Sequence, residues 1–245
     1  MSESLFQAIR VILFDLGDTL MYDKEPWPPF FPRADAALWK VLHNARVELE
    51  PRDLYGEFNN LFELYYARRE SELTEPTTAT VLDELLQQKG YVLSKETLSE
   101  AMRRMYAVTQ SNWFPEEDAI PTLEILKKRG FHIGYISNAA DDENTQTLID
   151  KGGLRPYAEF ILSSAAFGMR KPHPGIFHAA LDHFGLPPEQ AVMVGDTLDA
   201  DILGAKQVGM KSIWITRRAY RNPDEERRIQ PDLSLPSLSE IPGHL

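Results

Sequence analysis

Four consecutive apolar residues, Val11-Ile-Leu-Phe14, run directly into an acidic turn that contains glycine, Asp15-Leu-Gly-Asp-Thr19. A run that short, with no polar residue inside it, reads as a strand covered on both faces, the environment of a central strand in a parallel sheet. Runs of the same kind recur at 133–136, 160–162, 191–194 and 212–215. Between them lie amphipathic helical stretches at 119–129, 175–184 and 199–208. Each is followed by a glycine, at 130, 185 and 209, where a left-handed residue closes a helix. Strand and helix alternating in this way predict an α/β fold built on a doubly wound parallel sheet. Ligands of such sheets bind beyond the carboxyl ends of the strands. The tail predicts an edge strand at 231–235 and a short helical turn at 237–241, while 223–228 reads as a charged loop.

Residues 21–114 break the alternation. Apolar residues fall at helical spacing over 34–44, 51–73, 78–88 and 95–112, with Ser94 placed to cap the last of these. The pattern predicts a helical insertion that leaves the first strand and returns through Trp113-Phe-Pro115. The chain thus divides into a core of 1–20 and 115–245 and an inserted domain of 21–114. Trp27, flanked by prolines, falls in the expected hinge. Arg68-Arg69 and Arg103-Arg104 read as solvated helix faces that are also available to an anionic ligand. None of the six histidines shows metal-ligand spacing.

With 245 residues and 43% hydrophobic content, the chain can bury a sizeable core. Its formal charge of −11 and pI near 5.1 argue against nucleic acid or an anionic membrane as partner, so any phosphate must be held locally. The absence of cysteine removes disulfides, thiolate nucleophiles and thiolate metal sites. No stretch reaches the ~18 apolar residues of a membrane span, and no signal-peptide pattern opens the chain. The expectation is a cytoplasmic protein of open oligomeric state.

The residues at the strand ends carry the chemistry. Asp15 stands at the mouth of the sheet, placed for in-line attack on phosphorus. Ser137 and Asn138 end the second run with hydroxyl and amide donors, and Lys171, in Arg170-Lys-Pro172, supplies a cation for phosphoryl charge. Asp196 and Asp201, in Gly195-Asp-Thr-Leu-Asp-Ala-Asp201, face Asp15 with the oxygen ligands that Mg²⁺ prefers. Asp199 favours the dipole of the following helix.

Together Asp15-Leu-Gly-Asp-Thr-Leu20, Ile136-Ser-Asn138, Arg170-Lys-Pro172 and Gly195–Asp201 resemble the signature of the haloacid dehalogenase-like (HAD) hydrolase superfamily, in its C1-capped, phosphatase-like branch. The resemblance implies a Rossmann-like core with the helical insertion as a C1-type cap over the catalytic face. It implies Asp15 as nucleophile and metal ligand, Ser137 and Lys171 as phosphate binders and Asp196 as metal ligand, with Mg²⁺ as cofactor; Asp201, by its place in the segment, is expected behind Asp196, reaching the metal through another group or a water. It also implies a small phosphorylated metabolite as substrate, cleaved through an aspartyl-phosphate.

One position departs from the pattern. Phosphatases of the family carry an acid/base Asp two residues after the nucleophile, where this chain has Gly17, although the Gly17 carbonyl can still face the metal. General acid/base help is worth about 10² to 10⁴ in rate. Asp18 or a cap residue then supplies the proton, or the substrate has a good leaving group. Two alternatives stay open: a phosphate-binding HAD-like protein with little or no turnover, and a phosphonatase using Lys24, Lys40, Lys89 or Lys95 as Schiff base.

Overall fold

The computed structural model describes residues 5–245. Its main sheet has six parallel strands. These are β1 (Val11–Phe14), β4 (His132–Ser137), β5 (Phe160–Ser163), β6 (Ala191–Gly195), β7 (Lys211–Ile215) and β8 (Leu233–Leu235), in the order β5-β4-β1-β6-β7-β8. β1 is the hub, with Ile12 level with Ile133 of β4 on one side and Val192 of β6 on the other. The sheet order reverses there, between the β4–β5 half and the β6–β8 half, which creates the crevice where such sheets bind ligands.

Alternation along β1 feeds two separate cores. Ile12 and Phe14 pack with Leu123 and Leu126 of α5 (Ala119–Lys128), Ile149 of α6 (Asp142–Lys151) and the C-terminal turn residues Leu238 and Ile241. Val11 and Leu13 pack on the other face with Ile176, Phe177 and Ala180 of α8 (Pro174–Phe184) and Ala205 of α9 (Gly204–Gln207). All four residues of β1 are fully buried, as the uninterrupted apolar run requires.

The helical insertion leaves and re-enters through a two-stranded antiparallel ribbon, β2 (Met21–Asp23) and β3 (Trp113–Pro115). Between them lie α1 (Phe31–Asn44), α2 (Pro51–Glu72), α3 (Thr78–Gln88) and α4 (Lys95–Thr109). They close around an apolar cluster of their own that includes Leu38, Leu42, Leu54, Phe58, Leu82, Leu85 and Met102. Thr77 and Ser94 cap α3 and α4, accepting from the backbone N–H of Thr80 and Thr97.

A second strap joins insertion and sheet. Leu73 takes a left-handed conformation (φ 53°) that ends α2 and turns the chain back toward the core. Thr74 then forms a β-bridge with Met169. Glu75 N–H donates to Gly168 O (3.0 Å), Arg170 N–H to Leu73 O (2.9 Å) and Thr78 N–H to Ala140 O (2.9 Å). The inserted helices are thereby held over the carboxyl ends of β1 and β4.

Two local expectations change. Residues 223–228 form a short helix, α10 (Pro223–Arg228), rather than a loop. Asn222 caps it, Pro223 starts it, acidic residues fill its first turn and basic ones its last. The helix expected from 199 opens instead as a π turn, Leu198–Leu203, before α9. Thr197 O accepts from both Asp201 N (2.9 Å) and Ile202 N (3.4 Å), and this wide turn carries Asp201 inward. Short elements with no periodic apolar pattern, β2 and α7 (Ser164–Phe167), also form.

Candidate active site

The strand ends deliver the expected residues to one place. Asp15 leaves β1 with its N–H donating to Val194 O of β6 (2.9 Å). Lys171 reaches in from the loop before α8, and its side chain is 1% exposed. Its ammonium donates to Asp15 Oδ1 (2.6 Å), Asp201 Oδ1 (2.7 Å) and Ile136 O (2.8 Å), which uses all three protons. Asp201 also accepts from Thr197 N–H through Oδ2 (3.1 Å). Expected behind Asp196, acting through another group or a water, it is fully buried and bonded directly to the lysine.

Gly195 makes that approach possible. A Cβ there would lie 2.2 Å from Asp201 Oδ2, inside any tolerable contact. Asp196, just beyond it, receives only long bonds from the Thr19 hydroxyl (3.3 Å) and the Thr197 hydroxyl (3.4 Å), while its backbone carbonyl accepts Trp214 Nε1–H (2.7 Å). Ser137 is buried at the end of β4 and lines the same cavity. Asn138 lines it too, but its side chain clamps the lysine loop: Nδ2 donates to Lys171 O (2.9 Å) and Oδ1 accepts Lys171 N–H (2.8 Å). The amide expected to face phosphate therefore sets the lysine's backbone.

Asp15, Asp196 and Asp201 each place a carboxylate oxygen within 4.8 Å of the others. Burial, opposed by Lys171 and reinforced by Asp201, pushes Asp15 up to about 6. Burial and then the charge of Asp15 push Asp196 up to about 8. Burial would lower Lys171, but Asp15 and Asp201 outweigh it and hold the ammonium above its ordinary value. Three acids against one base leave a surplus of negative charge on hard oxygen donors, a set that fits a divalent cation of the Mg²⁺ type.

These residues floor a cavity of about 420 Å³. Leu16, Gly17, Asp18 and Met21 line it from the turn after β1, Tyr66 and Tyr106 from α2 and α4, and Trp113 from the ribbon. Asp141, Asn144 and Leu148 come from the start of α6, and Arg170 from beside the lysine. A Cβ built on Gly17 meets Trp113 Cη2 at 3.6 Å, an ordinary contact, and the Gly17 backbone is not left-handed. Asp18 is left-handed (φ 56°) and half-buried. Burial and then Asp23 raise its carboxyl, with Arg218 opposing.

Tyr66, Tyr106 and Asp141 carry no motif, and sequence reasoning missed them. Asp141 alone left a signal: it opens an Asp-Asp-Glu run ahead of an amphipathic stretch and caps α6, accepting Asn144 N–H at 2.7 Å. Of the arginine pairs, Arg103 and Arg104 are exposed and bound to Glu100. Arg69 lies over the Tyr66 ring (3.3 Å to the centroid) and pairs with Glu75. Trp27 packs among Phe30, Phe31 and Trp113, and His173 caps α8 by accepting Gly175 N–H.

An Asp at the end of the central strand, a buried lysine clamped to it, and a cavity roofed by inserted helices define a Rossmann-like hydrolase with its site at the strand ends. Residues 9–209 match the haloacid dehalogenase-like hydrolase family, and the chain belongs to it. It is 31% identical over 239 residues to glyceraldehyde 3-phosphate phosphatase of Pyrococcus furiosus, covering 96% of this chain and 93% of that one. It is 28% identical to phosphoserine phosphatase of Thermus thermophilus, covering 95% and 98%. Among solved structures it resembles 2-haloacid dehalogenase from Pseudomonas syringae pv. Tomato DC3000, with 29% identity, a TM-score of 0.66 and coverage of 96% and 97%. Among the described residues no helix is long and apolar enough to cross a membrane.

Proposed function

We propose that this chain is an Mg²⁺-dependent phosphatase of small phosphorylated metabolites, with a core of 1–20 and 115–245 and a cap of 21–114. The observation that carries the reading is the buried Lys171 ammonium held between Asp15 and Asp201, with Asp196 beside them on the cavity floor. The phosphatases among the curated relatives support it.

In the proposed reaction a carboxylate oxygen of Asp15 attacks phosphorus and the bond to the leaving oxygen breaks, giving an aspartyl-phosphate. The leaving oxygen takes up a proton. Water then attacks phosphorus, giving a proton back to the group that protonated the leaving oxygen, and the bond between the Asp15 oxygen and phosphorus breaks, releasing phosphate and restoring the Asp15 carboxylate. Ser137 donates to a phosphoryl oxygen, and Lys171 orients Asp15 while balancing phosphoryl charge. A bound Mg²⁺, held by Asp15, Asp196 and the Gly17 carbonyl, would neutralise charge on the phosphoryl group. Asp18 is the proposed proton source, since a raised carboxyl holds its proton closer to neutral pH. The cap roofs the site and excludes water.

Phosphonatase chemistry is disfavoured, because none of Lys24, Lys40, Lys89 and Lys95 lines the cavity. The test is phosphate release across acyl, aryl, sugar and nucleotide phosphates with Mg²⁺. Asp15→Asn should abolish it, and binding without release anywhere on the panel would favour the non-catalytic alternative.

A further inference from the structure

We infer that the cavity accepts an uncharged leaving group with a flat or apolar body and rejects one that carries a second anion. The inference rests on the phosphatase reading and names the substrate class of that site.

It starts from the cations. Among the described residues lining the cavity there are two, Lys171 and Arg170. Lys171 spends its three protons on Asp15, Asp201 and Ile136 O. Arg170 has Nε 3.6 Å from Glu75 Oε2, and the Glu75 side chain is 1% exposed. Glu75 rides in on the strap after α2 and is fixed from several directions. Its backbone N–H donates to Gly168 O (3.0 Å), Ser164 Oγ donates to its Oε2 (3.0 Å), and Arg69 Nη1 lies 3.2 Å from its Oε1. The strap therefore sets a buried carboxylate against the arginine that lines the cavity.

What remains beyond the phosphoryl site is acidic and aromatic. Asp18 and Asp141 add carboxyl groups and no cation, while Trp113, Tyr66, Tyr106, Met21 and Leu148 supply flat and apolar walls. Tyr106 is fixed by a 2.7 Å hydrogen bond between its hydroxyl and that of Thr78. Gly17 completes the arrangement: the Trp113 ring edge stands 3.6 Å from where a Cβ at 17 would lie, so the wall beside the nucleophile is indole. A carboxylate on the leaving group would lose its water here and meet carboxyl groups and cations that already have carboxylate partners. An amide of the same shape would not.

The test is the affinity of phenylphosphonate and its 4-carbamoyl and 4-carboxy derivatives for the Mg²⁺-loaded protein, measured by calorimetry. The carbamoyl compound should bind at least tenfold more tightly than the carboxy compound. Glu75→Gln, which removes the carboxylate charge beside Arg170, should narrow that ratio several-fold, with thermal melting used to confirm that the variant folds. Trp113→Ala should weaken phenylphosphonate at least fivefold and leave inorganic phosphate unchanged. Should Glu75→Gln not fold, the wild-type ratio decides alone. Equal or tighter binding of the carboxy compound overturns the inference. So does failure of all three to bind when inorganic phosphate does. Phosphate release from the matching aryl phosphates is scored separately: the stated binding order without release upholds the selectivity and overturns the phosphatase reading alone.

Discussion

Divalent-cation binding should be tied to proton release, and the size of the effect follows from the charge of the site. With every group ionised, Asp15, Asp196, Asp201 and Lys171 sum to −2. With Asp196 pushed up to about 8, the metal-free site holds one proton at neutral pH. A carboxyl with that pKa is ionised in about half the molecules at pH 8 and roughly one in ten at pH 7, so a cation must displace about one proton at neutral pH, and apparent affinity should fall about fivefold from pH 8 to pH 7, or ~1 kcal/mol. Below about 6, where Asp15 also keeps its proton, the dependence should steepen toward two decades per pH unit.

Stability follows with a definite sign. The folded chain holds Asp196 above its ordinary 3.8, so between that value and about 8 it binds more protons than the unfolded chain. The metal-free protein should therefore lose stability as pH rises through this window, by up to ~1.4 kcal/mol per pH unit for each proton concerned. A cation that binds only the folded state should offset the loss, and the protection should grow with pH. Calorimetric titration with Mg²⁺ in two buffers of different ionisation enthalpy counts the protons, and melting curves at pH 5.5 and 8.5, with and without Mg²⁺, check the sign. Constant affinity from pH 6 to 9 with no proton release would refute the reasoning.

Lys171→Met strips the cation from between two buried carboxylates, a change that costs ~3–5 kcal/mol and should lower the melting temperature by roughly 6–20 °C in a chain of this size. A thermal melt within about 3 °C of wild type would show the lysine to be electrostatically idle. Asp18→Asn should slow release from alkyl phosphates at least tenfold and from activated phosphates little, as kcat/KM over a leaving-group series would show. Gly17→Asp, which its backbone and its 3.6 Å contact with Trp113 permit, should raise alkyl-phosphate turnover in the same assay.

Much of this was legible because the site hangs on strand ends. An apolar run of four residues between glycine-bearing turns announces a buried strand, and the residue after it is then placed by topology alone; Asp15, Ser137 and Asp196 follow in this way. Lys171 precedes a helix and was legible through its motif. Asp201's burial was not, because it depends on a π turn that no periodicity signals. Asn138 was seen as a donor, yet which group it faces is set by a loop 33 residues away. The cavity walls were the least legible. Tyr66 and Tyr106 sit on amphipathic helices whose pattern separates buried from exposed, and that pattern cannot separate a packed ring from one that lines a cavity.

The strap that carries Glu75 also restricts the motions open to the helical insertion. A lid hung on the β2–β3 ribbon alone could wobble in any direction, but one pinned a second time at Thr74–Met169 has a line through both pins as its natural pivot. The two sides of that line are unlike. On the strap side, swinging would tear a carboxylate out of a buried ionic cluster. On the α4–α6 side, insertion and core are joined by an exposed Arg103–Glu143 pair (3.5 Å) and a Gln110–Asn144 amide bond (3.0 Å), each of which water can replace at little cost. Were the insertion to swing, the side beside Asn144 would be the one that opens at lower cost.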